Sequence, residues 1–386
     1  MKTVEEINEK IKKGTAVVLT AEEVVGLAKE EGVSAAAKKV DVVTTGTFSP
    51  MCSSGAFLNL GHTEPLMRMS RVTLNGVPAY AGLAAVDCFL GATELSETRG
   101  LEYGGAHVLE DLVSGKSVRL RAQSYGTDCY PRREFESDIR LADMNQCILF
   151  NPRNAYQNYN CAVNGSDRTI HTYMGTLLPR LGNATYATAG ELSPLLNDPD
   201  LRTIGLGTRI FLCGAQGYVA WEGTQCFPGL TEYEDGEKAY GGATVAVIGD
   251  LKKMSPEYLR AASVDRYGVS LFVGIGIPIP VLDEDLMAQL AVGNDKIFTD
   301  ISDYSVPERT RPNLGRVSYA ELRSGSIELN GRKIPTAPMS SLKKAREIAQ
   351  VLKDQVQTGQ FLLTERVAPL DLQTKKQVLD ERSYEA

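Results

Sequence analysis

Hydrophobic and polar positions alternate along this chain in short, often interrupted blocks. Val4, Ile7 and Ile11 recur at helical spacing and predict a helix over residues 4–13. AVVLT (16–20) fits a short strand or the entry to the next helix. Thr20 followed by Glu23 is a capping-box signature for a helix to about Lys29, closed by Gly32. VDVVTTGT (40–47) has the pattern of a buried strand running into the Cys52 loop, and SVRLRAQSY (117–125) that of a strand leading into the Cys129 loop. Asn75-Gly76 marks a hairpin turn. Two strong strand patterns follow at 242–251 and 269–281, then a hairpin over 321–336 turning at Asn330-Gly331. Ser340 or Ser341 caps an amphipathic helix carrying Leu342, Ile348, Val351, Leu352 and Val356, ended by Gly359.

Residues 151–175, NPRNAYQNYNCAVNGSDRTIHTYMG, have almost no aliphatic period. Their varied alphabet and three tyrosines argue against disorder and for irregular, site-forming structure. The expected fold is α/β, or mixed α+β, with a large central, mostly buried sheet, flanking helices and long irregular loops. One unit is expected over residues 1–370, with a sub-lobe boundary near 230–240 at the acidic run YEDGEK, then a polar, frayed tail over 371–386.

Composition narrows the function. The chain has 386 residues and a formal net charge of −7. That charge argues against nucleic acid as the main partner, because phosphate neutralisation needs clustered Lys and Arg. No apolar run reaches the roughly 18 residues that span a bilayer. The charged N-terminus has no signal-peptide core, so a cytoplasmic location is expected. Seven cysteines without a CxxC pair make a disulfide framework or a compact zinc site a poor fit. An iron–sulfur cluster built from dispersed cysteines stays open. GIGIPIP (274–280) lacks the third glycine and the following helix of a dinucleotide-binding loop.

Two cysteines stand apart. Cys52 lies in GTFSPMCSSGA and Cys129 in SYGTDCYPRREFES, both with loop composition. Arg132 and Arg133 follow Cys129 closely, with Asp128 before it. Those arginines could favour a thiolate or grip a substrate carboxylate; the competing reading is a surface cysteine with solvated charges. Around Cys52, backbone N–H groups could cradle an anion, and His62 could act as its acid–base partner; the competing reading is a small residue at a tight turn. Cys88 and Cys147 sit in apolar runs and read as core, while Cys161, Cys213 and Cys226 are ambiguous.

The runs GTFSPMCSSGAFLNLGHTEP, RAQSYGTDCYPRRE and NPRNAYQNYNCAVNGSDRTIHTYMGTL together resemble the homocysteine-biosynthesis sulfur-incorporation family, over residues 5 to about 370. The resemblance implies an L-aspartate semialdehyde sulfurtransferase with a persulfide on Cys129, and with Cys52 as a second, resolving or assisting cysteine. It also implies a sulfide or persulfide donor and a separate ferredoxin-like electron donor. Longer members append paired CBS domains, so regulation through such domains is not expected here. For the substrate carboxylate the candidates are Arg132, Arg133 and Arg153, and for its ammonium Asp128. Two alternatives remain: sulfur held on an iron–sulfur cluster, and a non-catalytic sulfide-delivery protein. A homo-oligomer is compatible with all three.

Overall fold

The computed structural model describes residues 1–371. The predicted helices form where their caps are written. Val4–Lys12 is capped by Thr3 with Glu6, and Ala21–Glu31 by Thr20 with Glu23, both as complete capping boxes. The left-handed turns Asn75-Gly76 and Asn330-Gly331 close hairpins as their sequence requires.

Strands dominate, and they gather into two large sheets. The first is antiparallel throughout. Its spatial order is Leu259–Val264, Gly268–Gly276, Arg209–Leu212, Ala215–Glu222, Val245–Asp250, Cys147–Asn154, Gly55–Asn59 and Asp87–Gly91. Thr47–Pro50 pairs beside Gly268–Gly276. The second sheet is mixed and includes Lys238–Gly242, Phe298–Asp303, Cys161–Val163, Ala184–Tyr186 and Arg332–Pro338, with Asn313–Ser318 beside Phe298–Asp303. Both sheets draw strands from either side of residues 230–240. A mixed α and β architecture is therefore present, with its core spread between sheets rather than around one parallel sheet.

The helix Leu342–Gln357 covers the start of the site-forming region. Its buried stripe of Ala345, Ile348, Ala349, Leu352 and Val356 follows the 3.6-residue period and faces the Thr47–Pro50 and Gly268–Gly276 strands. The approach is tight: a Cβ on Gly46 would lie 2.1 Å from the Ala345 carbonyl oxygen. No described helix is long and apolar enough to cross a membrane.

Residues 155–160 carry the chain from the Cys147–Asn154 strand of the first sheet to the Cys161–Val163 strand of the second. They form no regular structure, yet their polar groups are paired. Buried Gln157 donates to the carbonyls of Leu195 and Pro199 and accepts from the Ala243 N–H. Asn158 donates to the Phe298 carbonyl, and Asn160 to Ser302 Oγ. An irregular segment can cross the interior only with such partners, which is why this stretch is rich in amide side chains and poor in aliphatic ones.

Candidate active site

Cys52 sits in the turn between Thr47–Pro50 and Gly55–Asn59, closed by a 3.0 Å bond from the Ser54 N–H to the Met51 carbonyl. The turn is latched by Asn151. Its side-chain oxygen accepts from Ser53 Oγ at 2.9 Å and from the Arg153 N–H at 2.8 Å, and its amide donates to Ser54 Oγ at 2.8 Å. Asn151 is fully buried, so these bonds are made away from competing water. Gly55 follows because a Cβ there would strike the Phe89 ring at 2.3 Å.

The half-buried Cys52 thiol opens on a cavity of about 460 Å³ between the two sheets. Its Sγ lies 3.2 Å from Ser270 Oγ. The Tyr267 hydroxyl also bonds Cys52, and burial, with that sulfur beside it, raises the Tyr267 pKa and keeps it protonated. Tyr156, Tyr159, Tyr173 and Tyr304 complete an aromatic wall of edge-on ring contacts. Burial raises the pKa of Tyr156, Tyr159 and Tyr304 as well. Thr188, another wall residue, has φ +72° and is hydrogen-bonded to the Tyr319 hydroxyl. A β-branched residue in that region is uncommon, and such strain concentrates at binding sites.

The charge of this cavity is one-sided. Arg153 and Arg311 line it, and among the described residues no Asp or Glu does. Arg153 is held by bonds from Nε to Thr224 Oγ1 and from Nη1 to Gln225 Oε1.

Cys129 is elsewhere. It occupies the exposed tip of the hairpin loop between Val118–Gln123 and Glu134–Ile139. Reciprocal bonds between the backbones of Thr127 and Tyr130 leave Asp128 and Cys129 as the two tip residues. Arg132 gives its backbone N–H to the Leu66 carbonyl and its guanidinium to the carbonyls of Glu64 and Glu134. The exposed His62 ring stacks with Tyr130 at 6.4 Å. Arg133 packs near Gly126. Asp128, Cys129, Arg132, Arg133 and His62 therefore gather in one place, and none of them lines the Cys52 cavity. Cys52 and Arg153 are the sequence candidates that do.

Cys52 precedes the Gly55–Asn59 strand, which spans about 14 Å, whereas the Cys129 loop packs through Arg132 and Tyr130 on residues 62–66 that follow it. A disulfide needs Cα atoms within about 7 Å. The remaining cysteines are buried, and burial pushes Cys88, Cys147, Cys161 and Cys213 up to about 12, which keeps them as neutral thiols. Among the described residues no three His, Cys, Asp or Glu side chains converge to hold a metal ion.

Residues 16–363 match the family model described as homocysteine biosynthesis enzyme, sulfur-incorporation. A Methanosarcina acetivorans protein named L-aspartate semialdehyde sulfurtransferase is 54% identical over 369 residues, 96% of this chain and 72% of that one. A Methanocaldococcus jannaschii protein of the same name is 51% identical over 385 residues, with 96% and 73% coverage. An uncharacterized protein of Methanothermobacter thermautotrophicus is 31% identical over 334 residues, with 84% and 72% coverage. No solved structure matches the chain. With a latched cysteine turn, a tyrosine-walled cavity and these relatives, the chain belongs to the homocysteine-biosynthesis sulfur-incorporation family.

Proposed function

We propose that the protein inserts sulfur into L-aspartate semialdehyde to form homocysteine. The observation that carries this reading is the Cys52 cavity, where a half-buried thiol meets hydroxyl donors and two guanidiniums and, among the described residues, no carboxylate. Such a chamber suits a small, anionic, electrophilic substrate. Relatives 51–54% identical bear the name of that activity.

In the proposed reaction Cys52 assists as a covalent holder. Its sulfur adds to the aldehyde carbon to give a hemithioacetal. Hydrogen sulfide then replaces the hydroxyl, which leaves as water, with Tyr267 donating the proton. Two electrons and two protons cleave the Cys52 carbon–sulfur bond, releasing homocysteine and the free thiol. The net change is aldehyde plus hydrogen sulfide plus two electrons and two protons, giving thiol plus water.

Cys129 is the proposed persulfide carrier, exposed where a donor can reach it. Reductive release turns its persulfide into thiol and hydrogen sulfide, using two further electrons and two protons. A low-potential carrier of the ferredoxin-like kind supplies the electrons. Sulfur travelling as free sulfide needs no Cys52–Cys129 disulfide, which fits the separation of the thiols.

The test is anaerobic reconstitution with L-aspartate semialdehyde, a persulfide donor and a low-potential reductant. Homocysteine forms, and the Cys129 peptide gains about 32 Da, one sulfur, before reductant is added. Failure to form homocysteine with either sulfide or persulfide overturns the reading.

A further inference from the structure

Arg311 lies in the connection between Phe298–Asp303 and Asn313–Ser318, on the second-sheet side of the cavity, facing a chamber whose thiol comes from the first sheet. Its guanidinium sits 4.0 Å above the Tyr304 ring, and Tyr304 is buried and accepts a hydrogen bond from the Tyr173 hydroxyl. That stacking fixes the guanidinium plane from one side. Its Nε is buried and has no hydrogen-bond partner, and among the described residues the side chain makes no ion pair. A buried donor without a partner is uncommon in a folded protein and asks for an explanation.

The surroundings supply one. Among the described residues the cavity wall holds no Asp or Glu that could neutralise Arg311 from within. The other guanidinium, Arg153, already directs Nε and Nη1 to Thr224 and Gln225. A planar cation with free N–H groups, held by an aromatic face and left without a counter-charge, is suited to receive a carboxylate through two parallel hydrogen bonds.

We infer that Arg311 is a specificity-determining residue that anchors the α-carboxylate of the substrate and so aims its aldehyde carbon at Cys52. This rests on the proposed use of the Cys52 cavity as the substrate chamber. Anchoring at one end by a guanidinium and reaction at the other by a thiol would select amino-acid aldehydes over simple aldehydes.

Two measurements on the full chain test it, one of them independent of sulfur transfer. The first compares Cys52 alkylation by iodoacetate and by iodoacetamide, read by mass spectrometry of the Cys52 peptide. The wild-type protein favours the anionic reagent; Arg311→Met loses that preference about 10-fold or more, and Arg311→Lys retains part of it. Unchanged iodoacetamide reactivity shows that the variants keep the site's shape. The second compares L-aspartate semialdehyde with 3-aminopropanal, which lacks the carboxylate. Arg311→Met raises KM for the semialdehyde about 10- to 100-fold, the range for losing hydrogen bonds to a charged group, and leaves the reaction with 3-aminopropanal as weak as in the wild type. An iodoacetate preference that survives in Arg311→Met overturns the inference. If that preference is lost as expected but no homocysteine forms in any protein, the anion site stands and the sulfurtransferase reading falls.

Discussion

The Cys52 turn and the Cys129 loop are alike in composition and opposite in setting. Each is a Gly-, Ser- and Thr-bearing connection between strands. The Cys52 turn is gripped from outside itself, by Asn151 across the first sheet and by Ser270 and Tyr267 from a distant hairpin. The Cys129 tip is closed by its own backbone, Thr127 to Tyr130, and faces solvent. The first arrangement fixes a sulfur against a cavity wall and limits water. The second presents a sulfur to anything that can dock. In the proposed reaction, chemistry that needs positioning falls to the first thiol, and delivery falls to the second.

The largest expected effect falls on the enclosed side. Cys52→Ala leaves no measurable homocysteine, whether sulfur comes as sulfide or from a persulfide donor, while the Cys129 peptide still gains one sulfur. Cys129→Ala behaves differently. It loses the sulfur adduct and at least about 100-fold of the persulfide-dependent rate, and added sulfide restores turnover. If sulfide fails to rescue Cys129→Ala, the division into a chamber thiol and a delivery thiol is wrong. A related check is oxidation with diamide, where no Cys52–Cys129 linked peptide is expected because Cys52 precedes the Gly55–Asn59 strand and the Cys129 loop packs on residues 62–66 beyond it. Its appearance would mean that the loop swings across.

Tyr267→Phe should have an intermediate effect. The hydroxyl beside Cys52 is lost while the ring remains, so kcat falls about 100-fold, the lower end expected for one general acid. KM for the semialdehyde stays within a few-fold, because Tyr267 is not assigned to the carboxylate. Steady-state kinetics separate the two parameters; a change confined to KM would move Tyr267 from proton donation to binding.

Much of this was legible in the sequence, and the exceptions have a physical cause. Capping boxes and Asn-Gly turns are local, so Thr20 with Glu23 and Asn330 with Gly331 fold as written. The Asn- and Tyr-rich stretch was readable as ordered and site-forming from its varied alphabet and its tyrosines, and the structure shows its amides paired inside. His62 shows where proximity along the chain misleads. It lies ten positions from Cys52, yet the extended Gly55–Asn59 strand carries it to the far end, beside Tyr130. Asn151 could be suspected from the NPRN run, but its bond to Ser54 is visible only once the strands pair in register. Tyr267, Tyr304 and Arg311 gave no signal at all. Each stands in a polar connection indistinguishable from a solvated loop, and long-range antiparallel pairing brings them to the cavity.

The smallest effect expected is on stability in alkali, and it probes how closed the cavity is. Tyr156, Tyr159, Tyr267 and Tyr304 all have pKa values raised by burial, and Tyr103, Tyr240 and Tyr258 are pushed up to about 12. The buried thiols of Cys88, Cys147, Cys161 and Cys213 are likewise pushed up to about 12. The folded protein holds these protons more tightly than the unfolded chain, whose thiols and phenols release them near about 8.5 and 10. The stabilisation is therefore fully present below about pH 8.5 and declines as the pH rises toward 12, where the folded groups themselves ionise. The melting temperature should stay level to about pH 8.5 and then fall by several degrees before pH 11. Tyrosinate absorbance separates this from simple surface titration, because the buried Tyr159 and Tyr304 ionise only as the fold is lost. Free ionisation of Tyr159 or Tyr304 near pH 10 in the intact protein would show an open, wet chamber, and the contrast between an enclosed Cys52 and an exposed Cys129 would lose its basis.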